Sequence, residues 1–243
     1  MNDIINVGPF LIKYTLLVSI ISGLIGYLFL ILRIQKMNMD KRLITDIVLG
    51  TVMIYVIIWK FGDLLFNPSL LWESPLSILY LNGTEKTTII AIVSSVLYLS
   101  YKIKKYEIPF YPFLDLLPYG FLPFFLVYNL AVPFYGHKTN LPWGISISSA
   151  AIKYQPINYY LAAIITCLMI FLVTKKGKIK PGMYFSRTVV TLGVSGLLLS
   201  FLANLDVKII GLTYGQLLSI ILLLFGTAMN KKEHYPAGNE RTN

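Results

Sequence analysis

Few polar residues in this chain could do chemistry, and most of them lie inside or beside apolar runs. Lys60 and Asp63 stand three apart within one such run, a spacing that puts both on one face of a helix. They can pair with each other, or Lys60 can hold a lipid phosphate. Equally, they can be a structural pair near the membrane interface, with Lys60 reaching up to the headgroups. His137 falls in a loop and is the only histidine near a plausible pocket, which makes it a weak candidate for a general base. A lone loop imidazole is more often a surface group, and His137 and His234 cannot form a metal site unaided. Tyr128, Asn129, Gln155, Asn158, Tyr159, Tyr160, Ser195, Ser200 and Asn204 cluster near the ends of three apolar runs. Together they would line an outward-facing polar cavity. They offer hydroxyls and amides but no carboxylate–imidazole or carboxylate–arginine pair. General acid–base work needs a titratable group within reach, and tyrosine is a poor one unless its pKa is depressed. Asp115 opens an apolar run, where the dipole of its own helix would stabilise an acid, and reads as structural. The chain carries no phosphate-binding loop, dinucleotide fingerprint, zinc-binding His-Glu pair or nucleophile elbow. No cofactor and no metal are expected.

These residues belong to a chain of 243 residues, 56% hydrophobic and 13% charged, with a mean hydropathy of +0.69. Soluble domains carry about 25% charged residues, and a soluble core of this size could not hide so much apolar surface. The composition excludes disorder, a disulfide-rich secreted fold and a coiled coil. The single cysteine, Cys167, excludes an intrachain disulfide or a thiolate cluster. An all-α polytopic membrane protein is expected.

Seven apolar runs follow one another, at about Leu11–Leu32, Leu43–Phe66, Thr87–Tyr101, Leu114–Phe134, Ile157–Val173, Tyr184–Leu202 and Leu212–Met229. The first is too long for a signal-peptide core. In lipid, backbone amides must be satisfied within the segment, so continuous runs of this kind are helices. The domain spans residues 1–230, and residues 231–243 form a short polar tail.

The net charge is +10, from 21 basic and 11 acidic residues. In a soluble protein this would suggest nucleic acid. Here the charges gather in short loops between the runs, so no nucleic-acid partner is expected. Fifteen of the 21 lie in alternate connections or the tail: Arg33, Lys36, Lys41 and Arg42; Lys102, Lys104 and Lys105; Lys175, Lys176, Lys178, Lys180 and Arg187; Lys231, Lys232 and Arg241. Lys13, Lys86, Lys138, Lys153 and Lys208 fall on the other side, and Lys60 within a span. The positive-inside rule then predicts seven spans, N-terminus outside and C-terminus cytoplasmic. Two long outward segments, 67–86 and 134–156, contain Trp72, Tyr80, His137 and Trp143 and are long enough for interfacial or re-entrant elements. Aromatic anchoring at headgroup depth is the plainer reading of them.

The order of several motifs resembles that of prolipoprotein diacylglyceryl transferase. This bacterial membrane enzyme moves diacylglyceryl from phosphatidylglycerol to a lipobox cysteine. The firmest stretch runs from Leu117-Pro118-Tyr119-Gly120 through Tyr135-Gly136 to Leu141-Pro142-Trp143-Gly144. Pro156-Ile157-Asn158-Tyr159-Tyr160, Pro181-Gly182 and the Gly211–Ser219 segment, with Gln216, follow in the family's order. The resemblance implies seven spans with the N-terminus out, the bacterial plasma membrane, a phosphatidylglycerol-like lipid and a lipoprotein precursor as partners. It also implies lipid-headgroup contacts from Lys60, Tyr128 and Asn129, and structural roles for Leu141, Pro142, Trp143, Gly144 and Gln216.

The family's catalytic signature is replaced. Phe125 stands where the resemblance expects an arginine, Pro133 where it expects a glutamate, and Ile89-Ile90-Ala91 where it expects a histidine motif. Gly196 and Ser200 stand where it expects an Arg and Glu pair. Lys60 keeps a positive charge in place of another arginine, but as a point charge rather than a bidentate fork. Losing one stabilising donor can cost about 3 kcal/mol in such a reaction. Three readings therefore stand: the transferase, a degenerate relative that binds lipid or assists another membrane protein, or a transferase for a different lipid-linked substrate.

Overall fold

The computed structural model describes residues 4–7, 10–36, 39–69, 72, 83–147, 152–174, 180–203 and 211–232. Expectations for Tyr80, Asn204, His234 and the tail beyond residue 232 lie outside the described residues. The chain is mostly helical. Six helices are long and apolar enough to cross a membrane, which makes this a multi-pass membrane protein. The chain divides into two compact units, Ile34–Phe110 and the remainder, Met1–Arg33 with Tyr111–Asn243.

The smaller unit pairs α2 (Lys41–Phe61) with α4 (Glu85–Lys105). Asp40 starts α2 by accepting the amides of Arg42 and Leu43 at 3.0 and 3.2 Å, the ordinary N-cap arrangement. Ser95 is buried and donates to the Thr51 carbonyl at 3.4 Å, and Gly50 leaves room for the Tyr98 side chain. The expected continuous run to Phe66 is broken. The helix ends at Gly62, and Asp63–Phe66 forms a separate short helix, α3. The expected third span is longer at its N-terminal end, because Thr84 caps α4 and its hydroxyl accepts the Thr87 amide at 3.4 Å.

The larger unit begins with a hairpin that the sequence reading lacks: β1 (Ile4–Val7) antiparallel to β2 (Phe10–Lys13). It leads into α1 (Tyr14–Ile34). After α5 (Phe110–Leu114) a turn at Asp115-Leu116 leads into α6 (Leu117–Ala131). Pro118 sits at the start of α6, where a missing N–H costs nothing. Pro123 lies inside the helix and cannot donate to the Tyr119 carbonyl. At Gly26, α1 meets α6 so closely that an added Cβ would lie 2.5 Å from the Gly120 carbonyl oxygen.

Then come α7 (Ile157–Thr174), α8 (Met183–Ser200) and α9 (Tyr214–Lys232). Leu122 of α6 packs with Ile165, Leu168 and Leu172 of α7. Helices α8 and α9 run against each other over small residues. An added Cβ at Gly193 would meet the Ser219 carbonyl oxygen at 2.9 Å, and one at Gly226 would meet Val190 at 2.7 Å. Small residues let backbones approach in lipid, where hydrophobicity does not drive helix association. The chain is not purely helical. Residues 135–156 hold a three-stranded antiparallel sheet of β3 (Tyr135–Thr139), β5 (Lys153–Pro156) and β4 (Ile145–Ser146), in the order β3-β5-β4.

Candidate functional site

The sheet marks one end of the larger unit. The C-terminus of α6, the N-terminus of α7, the C-terminus of α8 and the N-terminus of α9 all lie at this end. β3 is attached to the end of α8: the His137 amide donates to the Leu202 carbonyl at 2.9 Å, and Gly136 forms a bridge with Ala203. Gly136 is buried, and an added Cβ would run into the Leu202 carbonyl. Tyr14, at the start of α1, donates its hydroxyl to the Ala131 carbonyl at 3.1 Å.

Trp143 is held in a chain of neutral hydrogen bonds. Its Nε1 donates to the Tyr160 hydroxyl at 2.9 Å, and that hydroxyl donates to Gln155 Oε1 at 2.6 Å. Gln155 Nε2 donates to Thr139 Oγ1 at 3.1 Å, which also accepts the Leu141 amide at 3.2 Å. Gly144 is required by contact: an added Cβ would lie 2.7 Å from Thr139 Cγ2 and 2.8 Å from Lys153 Cβ. Leu141, Pro142 and Trp143 are exposed, with the Pro142 carbonyl accepting Lys153 Nζ at 3.5 Å. Leu141, Pro142, Trp143 and Gly144 are thus the turn that closes the sheet.

Gln216 is tied into the start of α9. The Thr213 amide donates to Gln216 Oε1 at 3.0 Å, and the Gln216 amide donates to Thr213 Oγ1 at 3.2 Å. This is a reciprocal capping box. Gln216 Nε2 also donates to Ser200 Oγ of α8 at 3.1 Å.

The lipid-headgroup candidates are differently placed. Tyr128 stacks on Phe124, with ring centroids 6.1 Å apart and planes 12° apart. Its hydroxyl has no hydrogen-bond partner among the described residues. Asn129 turns its amide back to the Phe125 carbonyl of its own helix at 2.8 Å, while its carbonyl accepts Asn158 Nδ2 at 3.0 Å. Asn158 is 2% exposed, and its Oδ1 is buried without a partner among the described residues. Tyr159 is exposed. Ser195 donates back into its own helix at 2.8 Å.

His137 is exposed on β3, and the described residues bring no carboxylate to it. Phe125, where the resemblance expects an arginine, packs edge-on against Phe124 at 5.2 Å and Phe121 at 6.4 Å. Gly196 faces Ser219.

Lys60 lies in the last turn of α2 in the smaller unit. Gly62 ends α2 between Lys60 and Asp63, with its own backbone still right-handed helical at φ -62° and ψ -27°. Asp63 is buried and accepts the Thr84 hydroxyl at 2.9 Å, tying α3 to the start of α4.

Asp115 is structural, as expected, but not by capping its own helix. Its carboxylate, 8% exposed, accepts the amides of Gly182 and Phe185 at 2.6 and 2.9 Å. It therefore caps α8. Gly182 precedes that helix with φ +90°, a conformation that favours glycine, and brings no capping side chain. Beside it, Arg33 lies over the Tyr119 ring at 4.6 Å, and Tyr119 donates to the Leu172 carbonyl at 3.2 Å. Sequence reasoning missed this partner because nothing near Asp115 in sequence signals a helix start so far along the chain. Among the described residues, no group of three or more His, Cys, Asp or Glu side chains is placed to hold a metal ion. No protein-family model matches the chain, and no curated protein matches it.

Proposed function

We propose that this chain is a seven-span protein of the bacterial plasma membrane, built on the plan of prolipoprotein diacylglyceryl transferase, with its N-terminus outside and its C-terminus in the cytoplasm. At the sheet end of the larger unit it binds the headgroup of a phosphatidylglycerol-like phospholipid. The charge distribution supports the orientation. The packing of α9 along α8 supports the seventh span, since an apolar helix held against a membrane-crossing one shares its surroundings.

The carrying observation is Asn158. Its buried Oδ1 lacks a donor among the described residues, although its Nδ2 is bonded to the Asn129 carbonyl. A buried acceptor left unmatched costs about 1–3 kcal/mol. A hydroxyl donor, which a glycerol headgroup supplies, satisfies it, and Tyr128 on the preceding helix offers a second hydroxyl. In the smaller unit the resemblance gives Lys60 a lipid-phosphate contact of its own, which Lys60→Ala tests separately from the Asn158 site.

Binding without transfer is favoured by what now fills the positions of the family's charges. Phe125 belongs to an aromatic cluster, Gly196 to a helix contact and Ser200 to the Gln216 bond. The transferase reading draws on the framework, where Trp143 and Gln216 are both held by hydrogen bonds. Complementation of a conditional diacylglyceryl transferase mutant decides between them, with the lipobox cysteine followed by mass. The expected outcome is protein in the membrane, an unmodified cysteine and co-purifying phosphatidylglycerol. A diacylglyceryl mass gain on the cysteine overturns the binding-only reading, and His137 and Lys60 become the first residues to replace. Absence of retained anionic lipid, with Asn158→Leu behaving as wild type, overturns the lipid site.

A further inference from the structure

At the other end of the same unit, away from the sheet, lies a groove of about 620 Å³ between α7 and α8. This falls within the roughly 300–1,000 Å³ typical of small-molecule sites. Its walls are apolar: Ile164, Leu168 and Phe171 from α7 and Val190 from α8, with the exposed Cys167 on the rim. Both helices are long and apolar enough to cross a membrane, so an open apolar groove between them meets acyl chains rather than water.

One charged side chain lines this groove. Arg187 is exposed in the second turn of α8, about 6 Å along the axis from the helix start. Its guanidinium lies over the Phe171 ring at 5.9 Å, and it makes no ion pair among the described residues. An arginine facing lipid is costly unless its head reaches the interface or meets an anion. The neighbouring polar groups cannot neutralise it. Thr191 donates to the Arg187 carbonyl at 2.9 Å, and Ser186 donates to the Gly226 carbonyl at 2.8 Å. The sequence between α7 and α8 adds Lys175, Lys176, Lys178 and Lys180 and no acidic residue. A guanidinium fork matches phosphate oxygens in geometry as well as charge.

We infer that this groove is a binding site for one anionic phospholipid, with an acyl chain lying between α7 and α8 and the phosphate on Arg187. It is a second lipid site, at the end of the unit opposite the sheet. It rests on the membrane reading of α7 and α8 but not on the headgroup assignment at Asn158.

The test uses the full chain in nanodiscs of phosphatidylcholine doped with phosphatidylglycerol, with retained lipids counted by native mass spectrometry and affinity read by titration. Wild type is expected to retain phosphatidylglycerol over phosphatidylcholine at two sites. Arg187→Gln should retain one and bind the other at least about tenfold more weakly, the effect of losing a charged hydrogen bond. Arg187→Lys should recover part of that loss. Cys167→Trp, which fills the groove from an exposed rim, should also remove one lipid. Asn158→Leu should remove the other and leave the Arg187 site intact, so failure of either site shows by itself. The inference is overturned if Arg187→Gln retains both lipids with wild-type affinity, or if retention ignores headgroup charge. It is also overturned if Cys167→Trp leaves lipid retention unchanged or instead splits a dimer, which would make a second copy of the chain the occupant.

Discussion

The two ends of the larger unit hold their helices together by opposite chemistry. At the sheet end, Trp143, Tyr160, Gln155 and Thr139 pass hydrogen bonds between neutral groups, and Thr213 and Gln216 cap α9 reciprocally. At the far end a single buried carboxylate, Asp115, gathers the first amides of α8, with Arg33 as the nearby cation. A neutral chain divides its strength over many bonds, and losing one strands a group worth about 1 kcal/mol. A charged cap concentrates strength in one residue, so that its removal leaves several buried amides unmatched at once. The neutral end is thus suited to exchanging partners, whereas the charged end is a fixed joint.

Asp115→Ala should show the contrast most strongly. It leaves at least two buried amides without an acceptor and should cost about 2–4 kcal/mol, measured as unfolding in bicelles. Asp115→Asn, which keeps an acceptor oxygen, should recover part of it. A loss under about 1 kcal/mol would remove the distinction between the ends. Gly144→Ala comes next: the new methyl is forced against Thr139 and Lys153 and should cost about 1–3 kcal/mol, with protease nicking appearing within 135–156. Tyr160→Phe breaks two links of the neutral chain and should cost no more than about 1–2 kcal/mol. A loss as large as that of Asp115→Ala would show that the network behaves as one cooperative unit. Asn158→Leu should be close to neutral in stability. It gives up the bond to Asn129 but also removes the unmatched Oδ1, so its effect should appear in lipid retention instead. His137→Ala should change neither thermal stability nor lipid retention, and a defect in either would make the exposed imidazole part of the site.

Much of this was readable in the residues. The apolar runs gave the long helices to within a few positions, because lipid leaves the backbone no alternative to internal hydrogen bonds. The Thr213-x-x-Gln216 box is written in the chain, with a hydroxyl three residues ahead of a glutamine. Gly62 also stood in view between Lys60 and Asp63. Periodicity alone carries the helix through it, and the tie from Asp63 to Thr84 requires knowing how α3 meets α4. The sheet within 135–156 was harder still. β4 has only two residues, too few for an alternating pattern, and β3 is fixed partly by its bond to Leu202 rather than by its own sequence. Asp115 reads as structural from the sequence, but its partners lie 67 and 70 residues away, beyond any local signal. The mutual positions of Tyr128, Asn129 and Asn158 depend likewise on how α6 meets α7.

The long reach from Asp115 to Gly182 also sets an order of events during synthesis. At about 5–20 residues per second, the 67 residues between them take roughly 3–13 s to emerge. Throughout that interval the carboxylate is made and its amides are not. The nascent chain therefore carries an unmatched acid until α8 arrives to claim it. A chain stopped short of Gly182 would leave that carboxylate without the amides that satisfy it.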